Sequence, residues 1–335
     1  MTQPTAQSDY ARAYAQAAAL YAGIKARPEP TDELGATSTA STAAVLAIML
    51  TTRTRLRDRW LEVDPYNDRD VVKFAADAGR ITVPAQQAVA RVTAAAQTQM
   101  MRSLGVPVTV RPQVPDDVRS ASLSGDLERR RAARVKYAPQ QSGQSSVVRT
   151  VRQEDSDTSR VFARSAVTYR FRRAEGATHA QAQAAAERRI DSILDGNLQL
   201  ARRLVEHQAL EQANTVDLDR PIVGYRRIIH PEMSAGGVCG MCIVAADRTY
   251  KIGTLKAIHA NCWCTVMPKF ADYDPGHQLN AEDLAKLYKA AGNNTRDKLK
   301  RTRYVVEDHS ELGPMLVPAK GSPVPYFPVP ADPAA

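Results

Sequence analysis

The 335-residue chain has four cysteines, and all of them fall between residues 239 and 264. They form two pairs, Cys239-x2-Cys242 and Cys262-x-Cys264, with His259 just before the second pair in the run "HANCWC". Thiolates and imidazoles are the donors a zinc ion takes, and a C-x2-C turn presents two sulfurs to one metal. If "CWCTVMPKF" is extended, Cys262 and Cys264 point to the same side, because side chains alternate along a strand. The spacing therefore suits a structural zinc site with Cys239, Cys242, Cys262 and Cys264 as ligands. His259 stands in reserve, as a replacement ligand or as a group that orients one of the thiolates. The same four residues also suit one or two disulfides, or four reduced, buried thiols.

Catalytic arrangements fit less well. His230-Pro231-Glu232 followed by Cys239-x2-Cys242 imitates the signature of a zinc deaminase, but that signature places its two halves at the heads of separate helices. Six intervening residues cannot build that connection, and Val238 stands where proline is expected. A Cys262 nucleophile activated by His259 competes with three neighbouring thiols that make Cys262 a ligand. For a serine protease there is no G-x-S-x-G elbow. The glycines of "SAGGVCG" lack the lysine of a phosphate loop and read as a turn that delivers Cys239. His179, His207, His277 and His309 read as surface or internally satisfied histidines, so no catalytic residue is assigned.

The elements that must position these residues read as mainly α, with a small C-terminal α+β domain. "VLAIMLTTRTRLRDRWLEV" puts Val45, Met49, Leu56, Trp60 and Val63 near one helical face and should stop by Asp64-Pro65. A second helix is expected from about Thr82, with Pro84 in its first turn. It carries Val89, Val92, Ala96, Met100 and Leu104 inward and is ended by Gly105 and Pro107. This helical region spans 1–105. Residues 106–147 hold an extended connector and a charged helix near Asp126–Tyr137. Residues 148–220 hold a helix over Val147–Arg173 and a longer one opened by a capping box at Thr178 and Gln181, with Ile190, Leu194, Leu198, Ala201 and Leu204 inward. In 221–313, "IVGYRRIIH", "CWCTVMPKF" and "RYVVE" read as strands around the helix "AEDLAKLYKAAG". From Pro314 onward there are seven prolines in 22 residues, which predicts an extended tail over 314–335.

A formal net charge of +9 points to a polyanionic partner, with nucleic acid the obvious one. The densest basic stretch, Asp126 to Glu175, holds 12 Lys+Arg against 6 Asp+Glu. It includes Arg129, Arg130, Arg131, Arg134, Arg170, Arg172 and Arg173, the candidate nucleic-acid contacts. Few aromatics interleave them, so a plain solvated surface suits them equally. The uncharged run Gly35 to Thr52 is rich in serine and threonine, and is expected to be a buried helix rather than a membrane span. "MTQPTAQSDYARAY" lacks the layout of a secretory signal, so export by that route is not expected.

Residues 225–268, "YRRIIHPEMSAGGVCGMCIVAADRTYKIGTLKAIHANCWCTVMP", resemble the C-terminal signature of the Mu F-like minor head morphogenesis proteins of tailed bacteriophages. The shared features are Cys239, Cys242, Tyr250, Gly253, His259, Cys262, Cys264 and Pro268. "VVEDHSELGPML", Val305 to Leu316, is similar to the end of such chains in phages of actinobacteria. The sequence departs from the family at Ala257-Ile258, where the approach to the histidine usually carries proline. The resemblance implies a low-copy virion component inside the capsid near the portal vertex, assembled in the host cytoplasm. Its implied partners are the portal protein, major capsid or scaffold proteins and packaged DNA. Because such proteins are encoded beside or fused to capsid maturation proteases, a protease is the alternative. A DNA-binding module acting outside the virion is the second.

Overall fold

The computed structural model describes residues 32–119, 133–137, 147–151, 157–216, 218, 221–230, 240–255, 262–291, 304–309 and 313–318. Most of them are helical, and a small antiparallel sheet lies in the C-terminal region. The mainly α architecture with a small α+β part is therefore as expected.

Helix α1, Asp32–Trp60, and helix α2, Asp68–Ser103, form a hairpin across a short turn. Val45, Met49, Leu56 and Trp60 are buried on α1, and the Trp60 ring meets Phe74 of α2 edge to face at 5.2 Å. The expected face is the observed one, with Val63 packed partly against it. By length and composition α1 is apolar enough to cross a bilayer, but half of that stretch is buried within the protein. Ser38, Thr39, Ser41, Thr42 and Thr52 are buried, and Thr37, Thr51 and Thr54 are partly buried.

Helix α2 begins fourteen residues before the expected start near Thr82, so Pro84 lies inside it. The start signal is Asn67, whose side chain accepts the Arg69 N–H at 3.0 Å. An interior proline costs a helix about 3 kcal/mol. Here the turns before it bury Val71, Phe74, Ala75 and Ala78, and that burial outweighs the lost hydrogen bond. The end is as expected: Gly105 takes φ +77° and donates to Arg102 O, while Val106 donates to Met101 O. The connector that follows is non-helical, and it inserts Val106, Val108 and Val110 into the core.

Two expected helices are corrected. Ala133–Tyr137, at the end of the charged helix expected near Asp126–Tyr137, is strand β1, paired antiparallel with β2, Val147–Val151. Residues 126–132 lie outside the described residues. The start of the helix expected over Val147–Arg173 is therefore strand, and its end is a 3-10 turn, Val161–Ala163, running into helix α3, Arg164–Ala174. The β-branched run Val147, Val148, Thr150 and Val151 suits a ladder better than a helix, and β1 supplies the partner strand.

Helix α4, His179–Asn214, spans 36 residues, about 54 Å at 1.5 Å per residue. Thr178 and Gln181 form the expected capping box, at 2.9 and 3.3 Å. Ile190, Leu194, Leu198 and Ala201 are buried, and Leu204 is only half-buried. The first half of α4 packs on α1, α2 and α3, and the second half reaches the C-terminal sheet. That sheet has strand order β4-β3-β5, from β3 Ile222–Ile228, β4 Thr249–Tyr250 and β5 Thr265–Phe270. Helices α5, Gly240–Ala246, and α6, Pro275–Ala291, flank it. A hairpin of β6, Tyr304–His309, and β7, Gly313–Pro318, follows, so the proline-rich end starts in a paired strand. Residues 319–335 lie outside the described residues. One core joins both parts of the molecule: Ala90 and Met101 of α2 and Val205 and Leu210 of α4 pack with Tyr225, Val266 and Phe270 of the sheet.

Two sites give sharp stability tests. Gly79, inside α2, faces Ser159, and a Cβ there would lie 2.9 Å from Ser159 Cα. Helix propensity alone favours Gly79→Ala by about 1 kcal/mol. Because backbone blocks the methyl group, the substitution should instead destabilise by about 1–3 kcal/mol, read as a lower midpoint in urea.

Asp195 of α4 lies buried against α1 and pairs with Arg53 at 3.3 Å, while Asp191 pairs with Arg53 and Arg57. Burial pushes the Asp195 carboxyl up to about 6, with Arg53 opposing the rise and Asp191 adding to it. The folded state therefore holds this proton more tightly than the unfolded chain, where an aspartate titrates near about 3.9. The stabilisation is full below about pH 4 and is lost as pH rises through about 6. Asp195→Asn should remove roughly 3 kcal/mol of pH dependence across that window, measured by denaturant titrations against wild type.

Candidate metal centre

Cys242 sits on α5, held by the sheet beneath it. Arg226 of β3 donates to Ala246 O at the end of α5 (2.9 Å) and pairs with Asp274 at the head of α6 (2.7 Å). Burial acts upward on the Asp274 carboxyl, but the Arg226 hydrogen bonds outweigh it and hold the group below its ordinary range. Asn280 of α6 is fully buried, accepts from Ile229 N at 3.0 Å and donates to Arg227 O at 2.7 Å. These bonds fix the end of β3 and both flanking helices as one frame.

Cys262 and Cys264 come from the stretch entering β5. It is not strand, a correction to the expected "CWCTVMPKF" run: β3 ends at Ile228, opposite Thr265, and the ladder stops there. Both sulfurs nevertheless enter one cluster with Cys242. The three Sγ atoms lie within 4.8 Å of one another, and all three residues are buried. Cys242 and Cys262 are 3.8 Å apart, and none of the three takes part in a disulfide. A disulfide needs about 2.05 Å between sulfurs, so none joins them. These three buried cysteines can hold a metal ion. Cys239 and His259 lie outside the described residues.

The second half of α4 supplies what the sequence pattern did not reveal. Arg202, Arg203 and Glu206 are all buried, Glu206 with no exposed surface. Arg202 Nε donates to Glu206 Oε1 at 3.1 Å, and Arg203 donates to Glu206 Oε2. Arg203 Nη2 also donates to Cys262 Sγ at 3.6 Å. Arg202 donates to the Trp263 carbonyl at 3.4 Å and to Thr42 Oγ1 of α1 at 3.1 Å. The only available signal was two adjacent arginines with a glutamate at i+4 and i+3, a pattern that usually marks a solvated face.

Charge and burial compete in this cluster. Burial opposes the Arg203 charge, but Glu206, Cys262 and Cys264 outweigh it and raise its pKa. For Arg202 burial prevails over Glu206, and its pKa is lowered. Contact with Cys242 favours ionisation of Cys264, but contact with Cys262, burial and the charge of Cys262 together hold its thiol above the usual range. A shared cation reverses that balance, because a coordinating thiol is deprotonated outright.

Of the basic candidates, three lie together on α3. Arg170 pairs with Asp68 at 2.6 Å, Arg172 with Glu175 at 3.0 Å, and Arg173 donates to Ala177 O at 2.9 Å. Arg134 lies on β1, and Arg129, Arg130 and Arg131 are outside the described residues. His230 is buried in a ring of hydrogen bonds with Ser38 (3.1 Å) and Thr265 (3.2 Å), which ties α1 to β5. His179 bonds to the Tyr169 hydroxyl at 2.8 Å, and His207 lies 3.4 Å from Glu211.

Comparison of the chain with protein-family models, with curated proteins and with solved structures finds no match in any of the three.

Proposed function

We propose that this chain is a minor head morphogenesis protein of a tailed bacteriophage, of the Mu F-like kind, with a structural zinc ion organising its C-terminal part. The observation that carries the reading is the convergence of Cys242, Cys262 and Cys264 into one buried sulfur cluster. These are cysteines through which residues 225–268 resemble that family. Zinc suits the donor set: tetrahedral bonds of about 2.3 Å to sulfur place two thiolates about 3.8 Å apart, the spacing of Cys242 and Cys262. Cys239 or His259 supplies the fourth ligand.

Metal chemistry in this centre is structural. Three buried cysteines suit closure of a fold rather than turnover. The protein's own residues do the positioning: α5 delivers Cys242, the entry to β5 delivers Cys262 and Cys264, and α4 brings compensating positive charge. In this reading the protein sits inside the capsid near the portal vertex, contacts portal and capsid or scaffold proteins, and meets packaged DNA through its net positive charge.

The test is co-expression with the portal, major capsid and scaffold proteins, followed by mass spectrometry of purified particles. A few intact copies per particle, with capsid proteins uncut, is the expected result. Absence from particles defeats the proposal and favours a DNA-binding role outside the virion. A defined cleavage of capsid or scaffold protein, abolished by one point substitution, would assign a maturation protease instead.

A further inference from the structure

We propose that Arg203 is the outer partner of the metal centre, a positioning residue that stabilises Cys262 as a metal-bound thiolate and so couples metal retention to docking of the C-terminal sheet on α4. This rests on the metal reading above. Arg203 is buried and divides its guanidinium between two acceptors, Glu206 through Nη1 and Cys262 Sγ through Nη2. Toward a neutral thiol such a contact is weak; toward a thiolate it is a charge-assisted hydrogen bond. Three or four thiolates around a divalent ion carry net negative charge, and a buried cation beside them offsets it.

The same cluster also grips the chain between two of the ligands. Arg202 shares Glu206 with Arg203 and donates to the carbonyl of Trp263, the residue between Cys262 and Cys264. The Trp263 side chain packs against the helical core, and Arg202 also reaches Thr42 of α1. The ligand stretch and two helices therefore share one hydrogen-bonded unit. If docking strengthens metal binding there, metal binding strengthens docking by the same factor, because coupling is reciprocal.

The experiment uses the full chain and measures zinc affinity by competition with a chromophoric chelator. Cobalt substitution adds a second readout, the sulfur-to-metal charge-transfer band. Arg203→Met should weaken zinc binding by about 10- to 100-fold and shift that band. Arg203→Lys keeps the charge but not the fork that spans Glu206 and Cys262, and should lose about tenfold. A purely structural Arg203 would lower the unfolding midpoint while leaving affinity and band unmoved. Should Arg203→Met fail to fold, the Lys variant decides. Zinc affinity within about twofold of wild type in the folded variants overturns this inference alone. A wild-type chain that binds neither zinc nor cobalt overturns it together with the metal reading.

Discussion

On the proposed zinc reading, Cys262→Ser should leave the purified protein without metal and destabilise it more than Glu206→Ala or Gly79→Ala does. Cys262 is buried, 3.8 Å from Cys242, and receives the Arg203 contact. A hydroxyl at that place is a poor ligand for zinc and removes the sulfur that Arg203 contacts. Structural zinc contributes on the order of 10 kcal/mol or more of apparent folding free energy in small peptides at neutral pH. Even a fraction of that exceeds a typical point-mutation effect of about 1 kcal/mol. Metal analysis should fall from one ion per chain to none, with lost amide protection over 240–255 and 262–291. Helix α3 and the end of α1 should stay protected, while the start of α1, tied to β5 through Ser38, His230 and Thr265, should loosen. The far ends of α2 and α4 should loosen with the sheet, because Met101, Val205 and Leu210 share its core. Equal metal content and equal midpoints in variant and wild type would refute the assignment.

Glu206→Ala has the second-largest expected effect. Glu206 is fully buried and is bonded to both Arg202 and Arg203. Its removal leaves two guanidinium groups in the interior with no carboxylate between them. Breaking a buried pair from one side costs about 3–5 kcal/mol, because the remaining charge is uncompensated. Urea titration should report a loss of that size. Replacing Arg202, Arg203 and Glu206 together by apolar residues of similar volume should recover much of it, since a well-packed apolar cluster needs no compensation. A loss below about 1 kcal/mol for Glu206→Ala would mean that the cluster is open to water.

The elements were legible in the sequence wherever local rules agreed. The α1 face, the capping box at Thr178, the glycine end of α2 and the strands near Tyr225 and Met267 follow from period, cap chemistry and β-branching. Sequence and structure part where tertiary packing overrides a local signal. Pro84 looks like a helix start, and only the burial of Val71, Phe74 and Ala78 makes it an interior residue. Residues 133–137 carry arginine and alanine, which favour a helix, yet they pair with 147–151. A ladder partner is invisible to a local window.

The cysteine site divides in the same way. The sequence by itself determined that four sulfurs occupy one short window at ligand spacing, because residue type and separation are all that a turn-based metal motif requires. Only the tertiary structure decided that Cys242, Cys262 and Cys264 meet as buried cysteines outside any disulfide, and that Arg202, Arg203 and Glu206 stand behind them. Those charges lie about 60 residues upstream, on the far half of α4. A charged helical stripe reads as a solvated face until another part of the chain folds over it, since the cost and the compensation of burial belong to the folded neighbourhood and not to the residues themselves.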